Sequence, residues 1–112
     1  MISKELVGAS TVPIILSILT EGEDYGYEII KKVKSYSKGQ LEWSEPMLYP
    51  VLHRLEKGGH IVSRWQVLEN GRKRKYYAIT KEGKALLVEK RSEWEQMMLM
   101  LAQMWGIKLL PS

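Results

Sequence analysis

The apolar pattern of this chain changes period once, at Gly58–Gly59, and that change restricts the fold more than any other feature. Before it, apolar residues recur at helical spacing: Leu48, Leu52 and Leu55 stand at i, i+4 and i+7, one face of a helix. After it, "IVSRWQVLENGRKRKYYAIT" reads as two extended runs, Ile61 to Leu68 and Lys73 to Ile79. Asn70–Gly71 joins them, and both residues tolerate the positive φ that a tight hairpin needs. Ile61, Trp65 and Val67 share one face of the first run, and Tyr77 and Ile79 are the inward candidates on the second.

Helical segments surround that hairpin. Leu6 to Leu19 reads as a first helix, which Pro13 either kinks or restarts, with Ser10 or Thr11 as the cap in the second case. A second helix runs from about Asp24, a candidate N-cap, to Tyr36, with Ile29, Ile30 and Val33 as its apolar stripe and Gly39 past its end. The third begins at Ser44 or Glu45 and stops at the glycine pair, since glycine enters the left-handed C-cap conformation at little cost. Thr80 caps a last helix from Lys81 to about Trp105, ended by Gly106. Three helices, a two-stranded β-hairpin and a long helix make a mainly α chain: a winged helix-turn-helix with one C-terminal helix. The expected division is residues 1–80 for the winged part and 81–112 for a dimerisation helix, within one compact unit.

The third helix carries prolines on its outer face. Interior proline costs about 3 kcal/mol, because it removes a backbone donor and crowds the preceding turn. Pro46 falls in the first turn, where the loss is small; Pro50 lies deeper. With Leu48, Val51, Leu52 and Leu55 turned to the core, the opposite side holds Pro46, Pro50, His53 and Lys57, flanked by Ser44, Tyr49 and Arg54. Donors beside compact apolar groups suit a helix lying in a major groove. Charge agrees. Of 17 basic and 13 acidic residues, seven basic and three acidic ones lie between Ser44 and Lys75, so the net excess of +4 sits there. Four of them, Arg72, Lys73, Arg74 and Lys75, follow the hairpin turn, where they would meet phosphates in a salt-dependent way. Lysine on an edge hairpin also blocks aggregation, so charge alone leaves a solvated basic face open.

"YGYEIIKKV", "MLYPVLHRLEKGGHI" and "GRKRKYYAITKEGKALL", in this order and spacing, resemble the PadR family of bacterial transcription regulators. The resemblance covers roughly Leu16 to Leu87. It rests on Tyr49–Pro50, on Leu52, Leu55, Glu56 and Gly59, and on Lys75, Tyr76, Tyr77, Thr80 and Gly83. A single C-terminal helix is similar to the family's short subgroup. The resemblance implies a homodimeric repressor that binds palindromic double-stranded DNA and is often released by a small molecule. By position it implies that Tyr49, Pro50, His53 and Arg54 grip DNA and that Arg72 to Lys75 form the wing contact. Tyr25 and Tyr27 match the family's paired tyrosines, for which a phosphate contact and a core role both stay open, with core expected for at least one.

The last helix raises a separate question. Met97, Met98, Leu99, Met100, Leu101, Ala102, Met104 and Trp105 leave almost no polar face, and one small domain cannot bury them all. A second copy of the chain is the expected cover. Four of the six methionines lie here, so Trp94, Met97, Met98, Leu101 and Trp105 are candidates for a pocket that takes a planar aromatic effector.

Other functions find little support in the residues. There is no Cys, one Asp and two His, hence no metal-ligand spacing and no nucleophile–base set. Glu56 and His60 are four apart, but Gly58–Gly59 breaks the helix between them. No cofactor and no enzyme activity is expected. The apolar run Val12 to Leu19 is too short for a membrane span, which needs about 20 residues. A cytoplasmic chain is therefore expected. The competing reading is a winged helix that binds protein or RNA instead of operator DNA.

Overall fold

The structure, a computed structural model, describes residues 1–109; the last three residues of the 81–112 segment lie outside them. Helix α1 spans Lys4–Leu19, strand β1 Asp24–Tyr25, α2 Gly26–Tyr36 and α3 Glu45–Lys57. Strands β2 (Ile61–Val67) and β3 (Lys73–Ile79) follow, then α4 (Lys81–Trp105). The winged helix order is as expected, and the period change at the glycine pair is where helix gives way to sheet.

The sheet has three strands, not two. Its order is β1-β3-β2, all antiparallel, with Asp24 opposite Tyr77 and Tyr25 opposite Tyr76. A two-residue strand has no readable period, so the sequence signal there was helical. This places Asp24 in the sheet and not at the helix cap, which falls to Tyr25 without a side-chain bond. Asp24 is buried. Its carboxylate accepts the Tyr25 N–H at 3.0 Å and pairs with Lys32 Nζ at 2.6 Å. A buried carboxylate needs such partners, because desolvation otherwise drives it neutral. The same pairing holds the Lys32 ammonium above its usual pKa.

Helix α1 also departs from the expected start. It is continuous through Pro13 and is capped by Ser3, whose Oγ accepts the Leu6 N–H at 3.3 Å. The Ser10 and Thr11 hydroxyls donate back to the Val7 carbonyl at 2.9 and 2.8 Å. They sit inside the helix, and capping by either is ruled out. In α3 the outcome follows the expectation: Ser44 is the cap residue, Pro46 lies in the first turn and Pro50 within the helix. Gly59 takes φ 79°, and the His60 N–H returns to the Leu55 carbonyl at 2.9 Å.

The core joins Ile15, Leu16 and Leu19 of α1 to Ile29 of α2 and Leu48 and Leu52 of α3, closed by Ile61 and Tyr77 of the sheet. Trp65 and Val67 share the Ile61 face but are exposed, because the hairpin runs out past the helices that would cover them. Thr80 ties α4 to the end of α3: its hydroxyl donates to the Gly59 carbonyl at 2.7 Å and accepts the Gly83 N–H at 3.0 Å. The molecule measures 55 × 29 × 27 Å, and the 25 residues of α4, about 38 Å of helix, supply much of the long dimension.

Two glycines give opposite expectations. A Cβ on Gly83 would strike the His60 carbonyl, so Gly83→Ala should cost about 2–3 kcal/mol. Nothing lies within 4 Å of a Cβ on Gly8 inside α1, so Gly8→Ala should stabilise by about 0.5–1 kcal/mol. Denaturant unfolding of the two variants checks both signs.

Candidate nucleic-acid interface

A cleft of about 600 Å³ opens between α3, the start of α2 and the hairpin. Tyr49 and His53 reach it from α3, Tyr25 and Tyr27 from the β1–α2 junction, and Arg72 to Lys75 from the wing. Three sequence-distant groups of candidate residues thus share one concavity. Pro46, Pro50, His53 and Lys57 form an exposed stripe along α3, with Ser44 exposed at its start. Arg54 departs from this grouping. It lies on the other flank of α3, beside Lys4, Val7, Trp43, Met47 and Val51, and does not reach the wing cleft.

Tyr49 is half buried, and its placement explains why Gly26 opens α2. A Cβ there would stand 2.6 Å from the Tyr49 hydroxyl, so only glycine lets the ring pack down. Burial raises the Tyr49 phenol above its usual pKa, with the Glu45 charge adding to the effect. It stays neutral near pH 7 and can donate a hydrogen bond.

The four wing cations are not equivalent. Arg72 and Lys73 are exposed. Arg74 lies over the Tyr25 ring at 4.0 Å, and Lys75 Nζ stands 3.8 Å from Glu56 and 5.7 Å from the Trp65 ring centre. Glu56 also accepts from the Ser63 hydroxyl. On the outer face of the sheet Tyr25 and Tyr76 meet edge to face at 5.4 Å. Arg64 lies 5.0 Å over Tyr76, and its Nε donates to Glu23 at 3.0 Å. The Arg64 bond holds the Glu23 carboxyl below its usual range. Neither Tyr25 nor Tyr27 is in the core, contrary to expectation: Tyr25 is half buried in this outer stack and Tyr27 is 58% exposed. Sequence reading assigned no role to Glu23, Arg64 or the outward side of Tyr76: Arg64 and Tyr76 alternate with inward residues on β2 and β3, and Glu23 lies in the loop before β1 with no local signal.

A family model for the "Transcriptional regulator PadR-like family" matches residues 15–89. The chain belongs to that family. It is similar to a transcriptional regulator from Clostridium thermocellum, 36% identical with a TM-score of 0.84, over 92% of this chain and 97% of that one. A PadR-like regulator from Bacillus cereus is 28% identical with a TM-score of 0.80, over 94% of this chain and all of that one. The Escherichia coli transcriptional regulator YqjI is 33% identical over 82 residues, which make up 73% of this chain but 38% of that longer protein. PadR-like regulators are DNA-binding proteins and not enzymes. Among the described residues no group of three His, Asp or Glu side chains gathers to hold a metal, and no helix is long and apolar enough to cross a membrane.

The expected effector residues do not meet within one chain. A shallow pocket of about 130 Å³ near the end of α4 is lined by Met98, Leu101 and Trp105, among others, but not by Trp94 or Met97. Small-molecule sites usually exceed about 300 Å³.

Tyr77 marks the inner end of the cleft, and burial pushes its phenol up to about 12. In the unfolded chain the same phenol titrates near pH 10. Folding holds the proton more tightly, so this contribution is whole below about pH 10 and lost as pH rises to about 12. The melting temperature of the wild type should fall across that window more steeply than that of Tyr77→Phe.

Proposed function

We propose that this PadR-like regulator is a homodimeric repressor that binds a palindromic operator through α3 and the wing. The observation that supports the reading is the shared cleft: Tyr49 and His53 of α3 and the basic hairpin converge there instead of pointing apart. In this reading Ser44, Pro46, Tyr49, Pro50, His53 and Lys57 face the major groove. Arg54 reaches the backbone on the far flank of α3, and Arg72 and Lys73 supply the wing's phosphate contacts. Arg74 and Lys75, each already held by a ring or a carboxylate, contribute less. Tyr25 acts mainly as a brace for the wing, while Tyr27, exposed at the cleft mouth, is free to reach a phosphate.

The dimer reading rests on α4. Met97, Leu99, Met100, Met104 and Trp105 are each about half or more exposed, which leaves much apolar surface uncovered toward the end of α4. Such surface favours a two-fold contact with a second copy. Two recognition helices about 34 Å apart would then match successive major grooves. Two facing copies of the Met98–Leu101–Trp105 hollow would also enclose more room than either alone, which supports an aromatic effector at the interface.

Two measurements test this. Binding to DNA from upstream of the protein's own gene should weaken about tenfold or more in Arg72→Ala/Lys73→Ala. The slope of log affinity against log salt should also shrink by about two, one for each phosphate left without its cation. Binding equal to wild type in that variant would remove the wing from the interface. Sedimentation should show a dimer that Met100→Glu/Met104→Glu converts to monomer.

A further inference from the structure

Charge does not explain the inner face of the wing. Trp65 is 63% and Val67 65% exposed. Their register partners on β3 are Lys75 and Lys73. Toward the cleft, one strand therefore offers apolar surface and its neighbour offers ammonium groups. Trp65 lines the same cleft as Tyr49, His53 and Lys73. On the opposite face of the sheet, the stack of Arg74, Tyr25, Tyr76 and Arg64 braces the wing with the indole left uncovered. An exposed tryptophan on a braced strand keeps a large apolar area in water, an arrangement that favours a partner.

A duplex backbone has the matching composition, with apolar deoxyribose between anionic phosphates. A second copy of this chain does not. A two-fold contact through this patch would set Arg72, Lys73 and Lys75 against themselves, and like charges across an interface are costly. We propose that Trp65, with Val67 beside it, packs on deoxyribose of duplex DNA seated in the cleft, while the exposed Lys73 meets a flanking phosphate and Lys75, held by Glu56, adds less. This rests on the DNA-binding reading of the cleft and adds to it a component that does not depend on salt.

The test is fluorescence anisotropy with a labelled mixed-sequence duplex, titrated across salt for wild type, Trp65→Ala, Trp65→Phe and Lys73→Ala. A sugar contact needs no operator sequence. Trp65→Ala should bind about tenfold more weakly with an unchanged salt slope, Trp65→Phe should keep most of the affinity, and Lys73→Ala should lose about one unit of slope. Circular dichroism checks folding, and Trp65→Thr, a good strand residue, replaces alanine where the wing is perturbed. Equal affinity in Trp65→Ala overturns the proposal. So does a loss accompanied by a lower slope, which would mean the indole acts by placing Lys75. A dimer broken by Trp65→Ala would assign the patch to a second copy instead. Should Arg72→Ala/Lys73→Ala also bind as wild type does, the DNA reading of the cleft falls as well. Neutrality of Trp65→Ala alone leaves that reading standing.

Discussion

Strand β3 lies at the middle of the sheet, and the rest of the molecule is arranged around its two unlike faces. Tyr77 and Ile79 point inward, against the helices; Tyr77 is 1% exposed and closes the core. Tyr76 and Arg74 point outward and hold the β1 segment through aromatic and cation–π contacts. Because side chains alternate along a strand, one backbone fixes both faces at once. A slip of one residue would bury Tyr76 and expose Tyr77, and the core and the wing would fail together.

That coupling gives the wing its direction. Its tip lies far from the core and has no hydrophobic contacts of its own to orient it. Asp24 anchors β1 from the inside through Lys32, and Tyr25 carries the constraint to the outer face. On the opposite side Thr80 fastens the start of α4 to the end of α3. Helix α3, the wing and the long helix are thus joined by short covalent links and local polar contacts. A pre-oriented surface loses less entropy on binding than a mobile one.

Much of this was legible in the sequence. Leucine spacing, the glycine pair, Asn70–Gly71 and the Thr80 cap placed α3, the hairpin and α4 within about a residue of their observed bounds. These signals are local, and local signals survive in a single sequence. What escaped is what depends on distant partners. Asp24 reads as a cap until Tyr77 is seen opposite it. Trp65 and Val67 read as sharing a face with Ile61, but alternation says which face a residue occupies, not how far the covering helices extend. Arg54 reads as a neighbour of His53 on the helix wheel, yet the wing lies on one flank only. The effector residues share a helix, but side chains about 100° apart per residue do not gather on one side of it.

In the reading proposed above, α3 and the wing form one surface for duplex DNA. Amide-resolved NMR of the labelled protein, titrated with a duplex from its own upstream region, tests this most directly. Shifts should concentrate on residues 44–57 and 71–76, with the groove between α1 and α2 around Pro13, Ile14 and Tyr36 unaffected. Shifts confined to that groove or to α4, with α3 and the wing silent, would contradict it.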